Sequence, residues 1–335
     1  MTILVSDPTL RDGNHAVGHQ LTAAQVAAYA AAADAAGIPV VEVGHGNGLG
    51  ASSLQVGLAA TSDAEMLATA REHLTRSKLG VHVIPGFATI GRDLAAAVEA
   101  GVDVFRIAAH CTEADLTERH ITYVREQSRE VYGVLMMTHM ASVETLRDEA
   151  RKLASYGAEA VMLMDSAGAF LPPDVTERVS DLVEHAGVPI GFHAHNNLGC
   201  AIANSIAAVE AGASIVDASA RGFGAGAGNA QLEVLVAVLE RLGHPTGIDL
   251  YGILDAADVA ERELMPKVPS IDSVSVVSGL AGIFSGFAAP VKRVAAEMGV
   301  DPRDVFFALG RRKAVAGQED LIIEVASRLA AGETA

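Results

Sequence analysis

Two cysteines in 335 residues, Cys111 and Cys200, are too few for a disulfide framework and suit a reducing cytoplasm. Cations are scarce as well: 24 Lys plus Arg stand against 41 Asp plus Glu, a formal net charge of −17. No basic cluster exceeds Arg311-Arg312-Lys313, which argues against nucleic acid as a partner. An anion could be held only by a local cation or a metal. Every apolar run is broken by charge or glycine well short of the roughly 18 residues of a membrane span. The opening stretch MTILVSDPTLRDG lacks the basic, then apolar, then small-residue order of a secretory signal. Half of the residues are hydrophobic, so a large core is available and whole-chain disorder is excluded. The expectation is a soluble cytoplasmic protein.

A prior of about 150 residues per domain suggests two domains, yet a barrel of roughly 250 residues plus a tail fits equally well. Short apolar runs alternate with alanine-rich stretches over the first 242 residues. They fall at 3–7, 40–44, 79–84, 102–108, 133–138, 160–165, 188–193 and 214–219. Their unbroken apolar character suits strands buried on both faces of a parallel sheet. Thr22-x-x-Gln25 and Ser62-x-x-Glu65 read as capping boxes, and Gly37 closes the first long helix. Eight βα units in succession predict a (β/α)₈ TIM barrel over 1–245, with a doubly wound sheet as the alternative. Beyond Tyr251 the pattern is helical without strands, with helices expected at 251–265, 273–298, 302–313 and 317–331. Residues 246–335 are therefore expected to form an appended all-helical domain.

In such a barrel the chemistry sits where strands end, and here these ends are polar. The pair in GFHAH, His193 and His195, has the i, i+2 spacing that places both imidazoles on one face of a strand. Together they could hold Mn²⁺, Co²⁺, Fe²⁺ or Zn²⁺, or merely satisfy each other and the loop. Strands one and seven are separated by one strand, so Asp12 is a sensible third ligand. Arg11 suits a carboxylate or a developing enolate oxygen, or a structural ion pair. His15 is a candidate general base. Asp165 and Ser166 could orient neighbouring groups. The glycine-rich RGFGAGAGN at 221–229 could cradle an anion or simply permit a tight turn, and it lacks a phosphate-loop lysine. Asn229 reads as the cap of the following helix. Cys111 reads as a small core residue.

TLRDGNHAVGHQ, EVGHGNGLGASS, AHCTEAD, MMTHM, DSAGA, GFHAHNNLG, ANSIAAVEAGA, GAGAGNA and GQEDLIIEVA run through the chain in the order of one family. The sequence resembles the 4-hydroxy-2-oxovalerate aldolases, class II pyruvate aldolases of the metal-dependent TIM-barrel lyases. The resemblance implies a helical communication domain at the C-terminus and a divalent metal, usually Mn²⁺ with Co²⁺ an option, on Asp12, His193 and His195. It implies that Arg11 stabilises the pyruvate enolate and that His15 is the catalytic base. Arg11, Ser166, His193 and Phe284 would contact substrate. Pyruvate and an aldehyde would be the products, in the breakdown of aromatic hydrocarbons. An acylating aldehyde dehydrogenase would be the partner, in an oligomeric assembly. Three positions depart from the pattern: Phe284 stands where the family carries tyrosine, Asn47 where it has aspartate, and Asn196 follows the histidine pair. These raise the alternatives of a bulkier aldehyde used in the synthetic direction, a related acyl-CoA synthase, or an inactive scaffold for the dehydrogenase.

Overall fold

In the computed structural model, which describes residues 2–333, eight parallel strands close into a barrel in chain order. They are β1 (Leu4–Leu10), β2 (Val40–Val43), β3 (Lys78–Val83), β4 (Val104–His110), β5 (Glu130–Met136), β6 (Ala160–Asp165), β7 (Ile190–Ala194) and β8 (Ile215–Asp217). β8 pairs with both β7 and β1, so strands one and seven do lie one strand apart. The short α1 (Gly13–Ala16) and the long α2 (Ala23–Ala36) follow β1. Then α3 (Asp63–His73), α4 (Ala95–Glu99), α5 (Glu118–Glu126), α6 (Val143–Ser155), α7 (Pro172–His185), α8 (Ala201–Glu210) and α9 (Leu232–Arg241) each follow the next strand. The architecture is the TIM barrel that the eight apolar runs predict.

Local chemistry sets these boundaries. Thr22 and Gln25 form the reciprocal capping box at the start of α2, and Gly37 ends that helix with φ 78°. At α3 only half of the expected box forms: Ser62 accepts the Glu65 N–H at 3.3 Å. β1 runs three residues beyond the expected segment, through Pro8. Its register against β2 slips between Asp7 and Leu10, three residues on β1 spanning two on β2. Proline donates no ladder hydrogen bond, so it sits naturally at such a bulge. The Pro8 carbonyl then accepts the N–H groups of Arg11 and Asp12, turning both side chains into the barrel mouth.

Helix α10 (Leu250–Leu264) buries Ile253, Ala256, Ala257, Ala260 and Leu264 in the same core as the barrel. A separate core, built on Ile283, Phe287, Val291, Phe306, Leu309 and Ile322, joins α11 (Ser273–Ala281), α12 (Ala288–Met298), α13 (Pro302–Arg311) and α14 (Asp320–Ala330). We propose that the seam between the two units falls in the 265–272 linker, beyond the 245/246 expected from sequence. The single helix expected over 273–298 is two helices. Gly282, at φ 64°, ends α11, and a 3₁₀ turn over Ser285–Phe287 precedes α12. Hydrophobic periodicity continues across this corner, which is why the sequence reads as one helix.

The corner docks the helical unit on the barrel mouth. His139 Nε2 is 2.9 Å from the Gly282 carbonyl, and the Ser285 N–H donates to the Ser166 carbonyl at 2.9 Å. A Cβ on Gly282 would also approach His139 Nε2 to 3.0 Å. Gly282→Ala should therefore cost about 1–2 kcal/mol, the penalty of a left-handed residue bearing a Cβ. Thermal denaturation should show a lowered Tm for the variant.

Candidate metal centre and active site

Asp12, His193 and His195 are buried together, and one ligand atom from each lies within 4.8 Å of the others. His193 leaves the end of β7, and His195 follows it by one turn of the pleat. Their rings are 5.0 Å apart with Nε2 facing Nε2 at 3.4 Å. Asp217 Oδ2 lies 2.9 Å from His193 Nδ1. A carboxylate can only accept there, so Nδ1 carries a proton and Nε2 is the nitrogen turned to the triad. Burial pulls the His195 pKa down to about 3, against the attraction of Asp12, so that ring is neutral. Two bare imidazoles facing one carboxylate form a donor set suited to a divalent first-row cation.

Asp12 is anionic despite its burial. Burial opposes its charge, but the Arg11 guanidinium beside it leads the opposing attractions, and the carboxyl is held well below the usual range. Arg11 Nη1 donates to Asp12 Oδ1 at 2.8 Å. The Ala225 N–H and Asn229 Nδ2 donate to Asp12 Oδ2 at 3.1 and 2.9 Å. The glycine-rich loop is thus wrapped on Asp12 through the Ala225 N–H and Asn229. At Gly224 a Cβ would meet Asp12 Oδ2 at 2.5 Å, which explains a glycine there. Asn229 is no helix cap, since Gln231 holds that position for α9. It braces Asp12, and its own Oδ1 is buried without a partner.

Arg11 also donates from Nε to Glu42 Oε1 at 3.2 Å, while its Nη2 is buried and unpartnered. His15 lies against Gly46, where a Cβ would come within 2.6 Å of the ring. Burial lowers the His15 pKa, with Asp12 pulling the other way and Arg11 adding to the lowering. Phe284 meets His15 edge-on at 6.1 Å. Ser166, at the end of β6, accepts the Met137 N–H on its Oγ at 3.0 Å. Asp165 is tied to the backbone of Ala169 and Phe170. Cys111 is buried among core residues, and burial pushes its thiol up to about 12.

Sequence reasoning missed the charges beneath the site. Arg106, only 1% exposed, bridges Glu42 Oε2 at 3.0 Å and Asp217 Oδ2 at 2.6 Å across the barrel interior. Glu42 turns to Arg11 and Asp217 to His193, so the chain Arg11–Glu42–Arg106–Asp217–His193 links the two sides of the metal triad. The signal was a charged residue inside each of VVEVG, VDVFRIA and SIVDAS, namely Glu42, Arg106 and Asp217. Also missed was the stacking of His19 on His45, with ring centroids 3.6 Å apart and planes 15° off parallel. Their hydrogen bonds to Gly46, Asn47 and Gly57 pin the loop under His15.

Comparison with known proteins adds to this geometry. The HMGL-like family model matches residues 2–260, and a DmpG-like communication domain matches residues 269–331. The carboxyl transferase domain of Rhizobium etli pyruvate carboxylase, with pyruvate and biocytin, superposes with a TM-score of 0.85 at 18% identity, over 99% of this chain and 61% of that one. This likeness speaks for the fold. Barrel, triad and domain models together define a metal-binding TIM-barrel lyase. The sequence relatives narrow the class. A 4-hydroxy-2-oxovalerate aldolase of Spirochaeta aurantia is 66% identical over 98% of this chain and 96% of its own length. One of Streptomyces tendae is 62% identical over 98% and 92%. The chain belongs to the 4-hydroxy-2-oxovalerate aldolase family.

Two outcomes follow from the buried charges. Arg106→Met strands two carboxylates in the barrel and should cost about 3–5 kcal/mol, read as a lower urea midpoint. Burial holds His45 down to about 4 and His19 to about 2, both below the unfolded value near 6.5. The unfolded chain therefore binds more protons between those limits, and stability falls as pH drops from about 6.5 towards 4. Urea titrations at stepped pH should show that slope, shallower in His45→Gln.

Proposed function

We propose that this protein cleaves 4-hydroxy-2-oxovalerate to pyruvate and acetaldehyde, with a divalent cation, Mn²⁺ or else Co²⁺, held by Asp12, His193 and His195. The observation that carries the reading is the buried triad beside Arg11, whose Nη2 is buried with no hydrogen-bond partner in the protein. When bound, the cation supplies Lewis acidity to the carboxylate and 2-oxo oxygens of the substrate. Arg11 holds the negative charge that develops on the 2-oxo oxygen. His15, kept neutral by burial, accepts the 4-hydroxyl proton as the C3–C4 bond breaks. The C3–C4 bond electrons become a C2=C3 double bond as the C2=O pair moves onto oxygen, and the proton taken up by His15 is returned to C3 to complete pyruvate. The Ser166 hydroxyl, its oxygen already engaged by Met137 N–H, donates to a substrate oxygen. Phe284 forms the wall beside His15.

The DmpG-like communication domain supports docking of an acylating aldehyde dehydrogenase. Val276, Leu280 and Phe307 on α11 and α13 offer exposed apolar surface for it. Among the described residues no helix is long and apolar enough to cross a membrane, and we place the oligomeric assembly in the cytoplasm. A second reading, a bulkier aldehyde in the synthetic direction, is favoured by a cavity of about 640 Å³ that His15 and Phe284 line together with Leu54 and Ile323.

The test is pyruvate release from 4-hydroxy-2-oxovalerate by chelated and Mn²⁺-reconstituted protein. Metal should restore activity, His193→Ala should lose at least about a hundredfold, and Arg11→Lys should lower kcat about a hundredfold. Cleavage by chelated protein at the full rate sinks the reading. Metal-dependent condensation of pyruvate with larger aldehydes, without cleavage, would select the second one.

A further inference from the structure

The two products of the proposed cleavage differ in charge, since pyruvate is an anion and the aldehyde is neutral. Two cavities reach His15, and both are bounded by His15, Gly286 and Ala289. The larger, about 640 Å³, runs towards Leu54 and Ile323 and carries Arg293, Glu319 and Asp320, one net negative charge. The smaller, about 290 Å³, runs along Gly224, Ala225 and Gly226, the backbone wrapped on Asp12. Its charged side chains are Lys267, Lys292 and Asp272, one net positive charge. Phe284 lines the larger cavity only, and its ring lies so close over Gly286 that a Cβ there would meet it at 2.4 Å. His15 and Phe284 therefore stand between two openings of opposite sign.

Lysine is rare in this chain. The sequence holds five, at 78, 152, 267, 292 and 313, and two of them line this one opening. Lys292 is anchored 2.7 Å from Asp272 Oδ2, and Lys267 is exposed at the rim. In a protein of net charge −17 the general field repels a small carboxylate, so local cations at a narrow mouth dominate what an approaching anion meets. Ammonium groups on flexible stems attract without fixing geometry, which suits passage more than retention.

Resting on the aldolase reading, we infer that the Lys267–Lys292 opening is the passage for the carboxylate-bearing 2-oxo acid. The anion meets the two lysines first, moves along Gly224–Gly226, and reaches the Asp12 side of the site where Arg11 is waiting. The larger opening, negative in sum, disfavours that anion and leaves a neutral aldehyde unaffected.

The test uses full-length Mn²⁺-loaded protein in the condensation direction, with KM measured separately for pyruvate and for propanal. At low ionic strength, Lys267→Glu should raise the pyruvate KM about fivefold, and Lys267→Glu/Lys292→Glu more, with kcat and the propanal KM within about twofold of the parent. The difference should shrink at about 1 M salt, where the screening length is about 3 Å. Lys267→Arg should restore the parent values. Arg119→Glu, the same change of net charge at an exposed site on α5, should leave the pyruvate KM in place. Equal shifts for pyruvate and propanal, no shift, or an equal shift in Arg119→Glu would overturn the inference while leaving the aldolase reading intact. A parent protein with no metal-dependent turnover of pyruvate overturns both.

Discussion

One buried guanidinium organises the inside of this barrel. Arg106 lies between Glu42 and Asp217, where each carboxylate would otherwise face a dry, apolar interior. An unpaired charge there is costly, and removing one partner of such a set costs several kcal/mol. Each carboxylate has a second engagement, Glu42 with Arg11 and Asp217 with His193. Arg106 thus lets two acids survive in the core, and those acids fix the rotamer of Arg11 and the tautomer of His193. The metal triad inherits its geometry from this layer. Asp12 completes the path by pairing with Arg11, so alternating charges connect one ligand to another through the protein as well as across the site.

Burial also explains why so many histidines share the mouth without repelling one another. His15, His19, His45 and His195 all have lowered pKa values, with desolvation the leading cause for each. Neutral rings can stack, accept N–H groups and offer lone pairs, which charged rings cannot. The His19–His45 stack holds Gly46, and Gly46 is the surface on which His15 rests. His19 does this with φ 65°, an uncommon conformation for a residue with a side chain. Such strain is tolerated where surrounding contacts over-determine it, and here the contacts come from two loops at once.

Strand number, order and the ligand triad were legible in the sequence because each rests on local periodicity. Apolar runs mark strands, and i, i+2 spacing aims His193 and His195 the same way. Asp12 followed from the adjacency of strands in a closed barrel. The charge layer was not legible, because Glu42, Arg106 and Asp217 are single residues on strands far apart in the chain. Only closure brings them together. Asn229 misled for the same reason: just before a helix it resembles a cap, but its partner Asp12 lies 217 positions away. The break at Gly282 was hidden because the apolar pattern continues on both sides and a glycine inside a helix is tolerated at modest cost.

The helical unit completes the site that the barrel begins. A TIM barrel offers its strand ends to solvent, and a carbanion-like species at such a mouth would be quenched by water. Here Ser285 bonds the Ser166 carbonyl and approaches Asn197, while His139 reaches Gly282. These contacts bring Phe284 over His15 from outside the barrel. The phenyl ring covers one side of His15, whose backbone neighbour is Gly46 and whose nearby charges are Asp12 and Arg11. Phe284 carries no hydroxyl, so on the proposed reading the proton of the 4-hydroxyl is left to His15. That reading makes the Gly46 loop, which sets the position of the His15 ring, correspondingly important.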